Sequence, residues 1–561
     1  MKRILFLTIL FVSLTIQWVQ AQVEPVMTYK LKNDKLCQAW VDSIFNKLST
    51  KEKVGQLFVY TIAPVQTKAN LNLLEQAVST HKVGALLFSG GELSNQAYLT
   101  NEAQKKAKVP LMITFDGEWG IAMRLKNTPK FPRNGILGAI QQDQLIYEYG
   151  KEVARQCREL GVHVNFAPVA DVNINPKNPV INTRSFGEIP QNVADKVVLY
   201  SSGLESGGVL SVSKHFPGHG DTETDSHHSL PYLPFDKARL DSVELFPFKR
   251  AIDSGLGGVM VGHLEIPTLE PKKGLPSSQS HNIVTGLLKE ELGFKGLVFT
   301  DALAMKGANS QNVSLQALKA GNDLVLTPSF NIKKEIEAVL KALDSGEISQ
   351  EEIDQKCKKV LTYKYALGLA KEQNIKLSGL EQRINTPEAE QLIRELNKAA
   401  VVLVTDHNQL LPLPKELEKL AWVHIGKTGE DELIKKQLPP SIKIESFNIA
   451  NYTTADQQQK LLDSLSTYRR IVITADATIT NQTSLLNKFR NDLPAIVILL
   501  TDKKPFEKVA PSLKNSSTLV WGQGNQPEIK EVIGQALVGN ASLTGQLPFS
   551  IGTVYPAGQG I

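Results

Sequence analysis

Cysteine is scarce: Cys37, Cys157 and Cys357 are the only three in a chain of 561 residues. They are too few, too scattered and odd in number for a disulfide framework, so stability has to come from packing. A dominant charge of one sign is missing as well. Lys and Arg number 62 against 57 Asp and Glu, a net charge of +5 without a long basic run, which leaves no electrostatic footprint for nucleic acid. Glycine (39) and proline (28) are ordinary in number, and hydrophobic residues make up 42%. That balance excludes a disordered, collagen-like or coiled-coil chain. Beyond the first residues no apolar run approaches the roughly twenty needed to cross a bilayer, so no stable membrane span is expected.

The N-terminus reads as an address. Lys2 and Arg3 precede an apolar run from Ile4 to Ile16, and Val19-Gln20-Ala21 supplies small residues before Gln22. This is the pattern of an export signal over residues 1–21, cleaved after Ala21. No Cys stands near the cut, which argues against a bacterial lipid anchor. The mature chain is therefore expected to be exported, either periplasmic or extracellular.

From Trp40 onward, helix-like and strand-like stretches alternate, beginning with Ser49 and Glu52 at the spacing of a capping box. Eight short apolar runs follow: Gly55–Thr61, Val83–Phe88, Leu111–Phe115, Val162–Ala167, Gly208–Val212, Gly257–Val261, Gly296–Thr300 and Asp323–Thr327. Continuous apolar strands separated by helix-length segments mean a parallel sheet with both faces covered. Eight such units predict a (β/α)₈ TIM-like barrel over residues 30–370. Polar residues gather where the runs end: Asp116 and Glu118, Asp171, Lys214 and His215, His263, and Asp301. In a barrel those ends share one face, where active sites are built.

A long helical stretch, Ser349 to Leu369, again opens at capping-box spacing, with Ser349 and Glu352. Residues 371–398 read as a linker whose polar first part, Lys371 to Thr386, wraps away from the barrel. Apolar runs at 401–404, 420–425, 471–474, 495–500 and 518–521 then predict a smaller α/β sandwich domain over residues 399–561. The final segment, Leu547 to Ile561, reads as irregular.

Four of the ten histidines fall in KHFPGHGDTETDSHHSLP, from Lys214 to Pro231. A metal site is one reading, with His215, His219, Asp221, Asp225, His227 and His228 as possible ligands. Yet histidines four apart share a face only on a helix, and Pro217, Gly218 and Gly220 forbid one. No metal and no cofactor is expected. The other reading is proton transfer: Asp225 and His227, two apart in an extended segment, project to the same side, so the carboxylate can fix the imidazole tautomer and raise its basicity. Asp301, in VFTDALAM at the end of the seventh run, either caps the following helix or attacks carbon. One group that attacks and one that protonates are the minimum for splitting a glycosidic bond with retention.

On these residues the chain resembles glycoside hydrolase family 3, and within it the β-N-acetylglucosaminidases, over most of its length. The KHFPGHGDTETDSH string is similar to that branch's signature, and the resemblance implies an acid/base dyad at Asp225 and His227. VFTDALAM is similar to the family's nucleophile segment, which implies Asp301 as the nucleophile. The resemblance also implies sugar contacts by Asp116 in ITFDGEWG, Arg124, Arg184 in RSFG, and Lys214 with His215. Relatives commonly carry Gly-Gly after the Glu of the Asp116 segment, whereas this chain has Trp119-Gly120; Trp119 either offers an aromatic face to sugar or fills core space. A carbohydrate partner follows, with terminal β-linked N-acetylglucosamine of peptidoglycan fragments as the expected substrate. The alternatives are a related β-glucosidase or xylosidase, an N-acetylglucosaminide phosphorylase, and a non-catalytic glycan-binding protein. The branch takes its proton from the loop, so the second domain is expected to be structural or to assist partner contacts.

Overall fold

The computed structural model describes residues 26–29, 31, 33–308, 310–327, 332–371, 374–449, 453–488, 494–514 and 516–561. The export-signal reading of residues 1–21 lies outside the described residues. Among the described residues no helix is long and apolar enough to cross a membrane.

All eight expected barrel strands are present: β1 (Phe58–Ile62), β2 (Ala85–Phe88), β3 (Met112–Phe115), β4 (Val164–Asn165), β5 (Leu210–Phe216), β6 (Gly258–Val261), β7 (Leu297–Thr300) and β8 (Val325–Thr327). They pair in parallel in the order β7-β6-β5-β4-β3-β2-β1-β8. A bridge between Phe299 and Leu324 brings the first and last of these together, and the Thr300 N–H donates to the Leu324 carbonyl at 3.1 Å. Every residue of β2, β3, β5, β6 and β7 is buried, which is why these strands read as unbroken apolar runs. Both expected capping boxes form, Ser49 with Glu52 and Ser349 with Glu352.

The second domain is a six-stranded sheet: β9 (Val402–Asp406), β10 (Lys419–Ile425), β11 (Lys443–Ile449), β12 (Ile471–Ala475), β13 (Ala495–Leu499) and β14 (Thr518–Trp521). Its order is β11-β10-β12-β13-β14-β9, parallel except for β9. Alternate residues feed two cores. Trp422, Val472, Ile496 and Val520 pack with Ile529 and Ile533 on one face, while Val423, Ile473, Val497 and Leu519 pack with Phe506 and Val509 in a cluster continuous with the barrel core.

The segment read as a linker departs from expectation. It lies along the barrel instead of leaving it: Asn101 exchanges side-chain hydrogen bonds with the Ile375 backbone at 2.8 and 2.9 Å, and Arg383 Nε donates to Glu159 at 2.7 Å. Its second part is a helix, Pro387–Ala399, started by the Thr386 hydroxyl and burying Ala389 and Leu396. The polar surface of these residues masked the apolar stripe that seats them.

Candidate active site

The ends of β3, β4, β5 and β7 build one connected polar floor. Asp116, just past β3, accepts from Lys214 Nζ at 3.0 Å and from Arg124 Nη2 at 2.8 Å. Glu118, two residues on, is wholly buried and takes a two-pronged bond from Arg184, at 2.9 Å from Nε and 2.6 Å from Nη2. Lys214 Nζ also lies 2.9 Å from Glu118 Oε1. The pairing register of β5 against β6 shifts between Ser213 and Phe216, so that neighbouring side chains, Lys214 and His215, both enter the site. His215 Nδ1 meets Asp171 Oδ2 at 2.7 Å, and its Nε2 faces Arg184 Nη2 at 3.4 Å.

Burial opposes the charge on Asp116, Glu118, Arg184 and Lys214, yet their neighbours win. Lys214 and Arg184 hold the Glu118 carboxyl well below the usual carboxylate range. Lys214 and Arg124 do the same for Asp116, although Glu118 pushes the other way. Lys214 is held above the usual amine range by Asp116 and Glu118. Charges this crowded and largely withdrawn from water are stable only because each has a partner at hydrogen-bond distance.

Asp301 stands just past β7. Its Oδ1 accepts from the Ala302 N–H at 2.7 Å, and its own N–H donates to the Val261 carbonyl at 2.9 Å. It does not start an α-helix: the next one begins at Val313, so the capping reading fails. Burial would protonate this carboxyl, but His215, His263, the Ala302 N–H and Lys214 hold it ionised below its ordinary value. His263 is itself buried, with Nδ1 at 2.8 Å from Ser278 Oγ and Nε2 at 3.1 Å from the Ala302 carbonyl.

Asp225 and His227 do pair, but not through an extended segment. The chain turns at Asp225, whose carbonyl accepts from the His228 N–H at 2.9 Å. Asp225 Oδ1 takes both the His227 N–H, at 2.8 Å, and His227 Nδ1, at 2.7 Å. An Asx turn therefore accomplishes what alternation was expected to do. His227 is 59% exposed, so its free Nε2 side is open to a reactant. The carboxyl of Asp225, opposed by partial burial, is held low by the His227 N–H and ring.

The loop is moored on both sides. Gly220 passes so close to β4's loop that a Cβ would stand 1.9 Å from the Val172 carbonyl. The Ser226 carbonyl, one residue before His227, accepts from the Gly307 N–H at 3.1 Å, in the segment following Asp301. His215 and His219, the pair considered for metal, have rings 6.2 Å apart and are each engaged by protein groups. Among the described residues no cluster of three His, Cys, Asp or Glu is placed to hold a metal ion. Trp119 is half-buried, with the Arg133 guanidinium 5.0 Å over its ring.

Glu118, Asp171 and His263 were legible only as polar strand ends; the network gives each a defined partner. The C-terminal segment of the second domain packs on the barrel near the Arg184 loop: the Glu188 N–H donates to the Pro548 carbonyl at 3.0 Å and the Gln546 N–H donates to the Ala139 carbonyl at 2.9 Å. Within the barrel, Asn134 Nδ2 donates to the Arg184 carbonyl at 2.7 Å.

An eight-stranded parallel barrel with carboxylates, a lysine and histidines gathered at the strand ends has the layout of a barrel enzyme's active site. The chain belongs to glycosyl hydrolase family 3: the profile of the "Glycosyl hydrolase family 3 N terminal domain" matches residues 49–363. It is 31% identical over 375 residues to the "Beta-hexosaminidase A" of Pseudoalteromonas piscicida, covering 61% of this chain and 62% of that one, less than two thirds of the relative. It is 28% identical over 393 residues to a "Beta-N-acetylglucosaminidase/beta-glucosidase" of Cellulomonas fimi, covering 67% and 68%. Among solved structures it is similar to a glycoside hydrolase family 3 beta-N-acetylglucosaminidase from Paenibacillus, with TM-score 0.68 and 29% identity over 90% of this chain and 99% of that one.

Proposed function

We propose that the chain is an exported, retaining β-N-acetylglucosaminidase that removes terminal β-linked N-acetylglucosamine from peptidoglycan fragments. Asp301 attacks the anomeric carbon while His227, oriented by Asp225, protonates the departing oxygen. A glycosyl ester on Asp301 forms as the glycosidic bond breaks. His227, now neutral, takes a proton from water, whose oxygen displaces Asp301 and releases β-configured sugar. Asp116, Arg124, Arg184, Lys214 and His215 contact the sugar's hydroxyl and amide groups. The scheme needs no cofactor.

The observation that carries this reading is the His227–Asp225 contact of 2.7 Å on a loop whose next residue, Ser226, is tied to the segment after Asp301. Export rests on the Lys2-Arg3 start and the apolar run before Ala21. A substrate panel of aryl N-acetylglucosaminides, glucosides and xylosides tests the sugar and the rival glycan-binding reading together. Asp301→Asn should leave binding intact while costing orders of magnitude in rate, and a fluoro-sugar should trap its adduct on Asp301. Near-normal turnover in that variant, or an adduct elsewhere, refutes the assignment. An imidazole repels phosphate less than a carboxylate would, so a phosphorolytic reading is decided by whether phosphate captures the intermediate in place of water.

A further inference from the structure

The loop holds a second histidine that the reaction scheme does not use. His219 is 2% exposed. Its Nδ1 meets Thr222 Oγ1 at 2.9 Å and its Nε2 meets Ser226 Oγ at 3.1 Å. Its backbone N–H donates to Asp171 Oδ1 at 2.7 Å. Asp171 is the same carboxylate that binds His215, and Ser226 is the residue that both precedes His227 and accepts from Gly307.

This ring is no proton donor to substrate. Both nitrogens are taken by hydroxyls, each of which can donate or accept, so either tautomer is satisfied. Burial keeps it neutral, lowering its pKa to about 4 despite the opposing pull of Asp171. What it does is mechanical. The Asp225–His227 turn is exposed, and an exposed turn holds a catalytic group in place only if its flank is fixed. His219 supplies that flank from inside the protein.

We propose that His219 is a positioning residue: its ring ties Ser226 to the Asp171 floor and so sets where the Asp225–His227 turn presents its proton. The proposal rests on His227 being the acid/base. A buried histidine that merely fills space would, when replaced, weaken all activity alike. A residue that aims the proton donor instead weakens reactions in proportion to their need for a proton.

The test compares kcat/KM for two N-acetylglucosaminides, one with a dinitrophenol leaving group, which departs without protonation, and one with a second N-acetylglucosamine, which does not. For His219→Ala the disaccharide rate should fall roughly 10- to 100-fold, a fraction of what a general acid contributes, while the dinitrophenyl rate falls no more than about threefold. His219→Gln, whose amide reaches the Nε2 position, should recover most of the loss. His219→Asn, which reaches only the Nδ1 position, should not. Equal losses on both substrates, or equal recovery by Asn and Gln, overturn the proposal. If His219→Ala does not fold, Ser226→Ala is measured in its place, and an absence of selective loss there overturns it equally. His227→Gly separates the two readings: if it shows no leaving-group dependence, the acid/base assignment has failed, not the positioning role alone.

Discussion

Glu118 and Arg184 form a buried two-pronged ion pair, with contacts of 2.6 and 2.9 Å and a carboxylate entirely out of solvent. Glu118 is also the second carboxylate on Lys214. Replacing it by Gln leaves Arg184 without its bound carboxylate and leaves Asp116 to balance both Lys214 and Arg124. Removing one partner of a buried pair typically costs about 3–5 kcal/mol. Glu118→Gln should therefore lower the unfolding midpoint clearly and raise KM, because Arg184 loses its fixed orientation. A variant with unchanged denaturation and unchanged KM would contradict this account of the floor.

Asp171 sets the tautomer of His215. A carboxylate only accepts, so Nδ1 of His215 carries a proton toward Asp171 at 2.7 Å, while Nε2 faces Arg184 Nη2 at 3.4 Å. Asp171→Asn can keep its oxygen toward the His215 and His219 N–H groups, but turns an NH₂ toward the ring. The proton moves to Nε2, where it faces another donor. Two opposed donors cost ~1–3 kcal/mol, so kcat/KM should fall roughly 10- to 100-fold with little change in the far-ultraviolet spectrum. Wild-type kinetics in this variant would show that the tautomer is set elsewhere.

The barrel was legible because its strands are buried on both faces, so Leu297–Thr300 and Gly258–Val261 appear as plain apolar runs. Strand β11 escaped notice for the opposite reason. Lys443-Ile-Glu-Ser-Phe-Asn-Ile is an edge strand whose Lys443, Glu445, Ser446 and Asn448 are exposed, and edge strands carry polar residues against unwanted pairing. The candidate site divides in the same way. Asp116, Lys214, His215 and Asp301 stand at strand ends, where barrel geometry alone puts chemistry. The tie from His219 to Ser226 and the Asx turn at Asp225 depend on loop path, which no periodicity encodes.

Gly220 measures how tightly that loop must lie. With the Val172 carbonyl 1.9 Å from where a Cβ would be, and backbone rather than a flexible side chain in the way, Gly220→Ala has to lift the loop from the β4 loop that carries Asp171. The residue touches no proposed reactant. Its expected signature is a loss of kcat/KM of about tenfold or more in a protein that still folds, since loss of positioning by ~1 Å is enough for such an effect. Activity within twofold of wild type would mean that the loop's path tolerates displacement.

At the opposite end of the barrel, Glu205 predicts a pH dependence of stability. Its Oε1 accepts from Ser211 Oγ at 2.6 Å and from the Gly257 N–H at 2.9 Å, bonds that lower its pKa, yet burial dominates and raises it from 4.5 to about 7. The folded state therefore binds this proton more tightly than the unfolded chain. The resulting stability is complete below 4.5 and is lost as pH rises through about 7. Glu205→Gln keeps the accepting oxygen and cannot ionise. Its stability relative to wild type should rise between pH 5 and pH 8 by ~1–3 kcal/mol, one pKa unit being worth 1.36 kcal/mol. Urea unfolding of both proteins at the two pH values measures this difference. A gap that stays constant, or that narrows with rising pH, would show that Glu205 is already ionised in the folded protein and that solvent, not the barrel, surrounds its second oxygen.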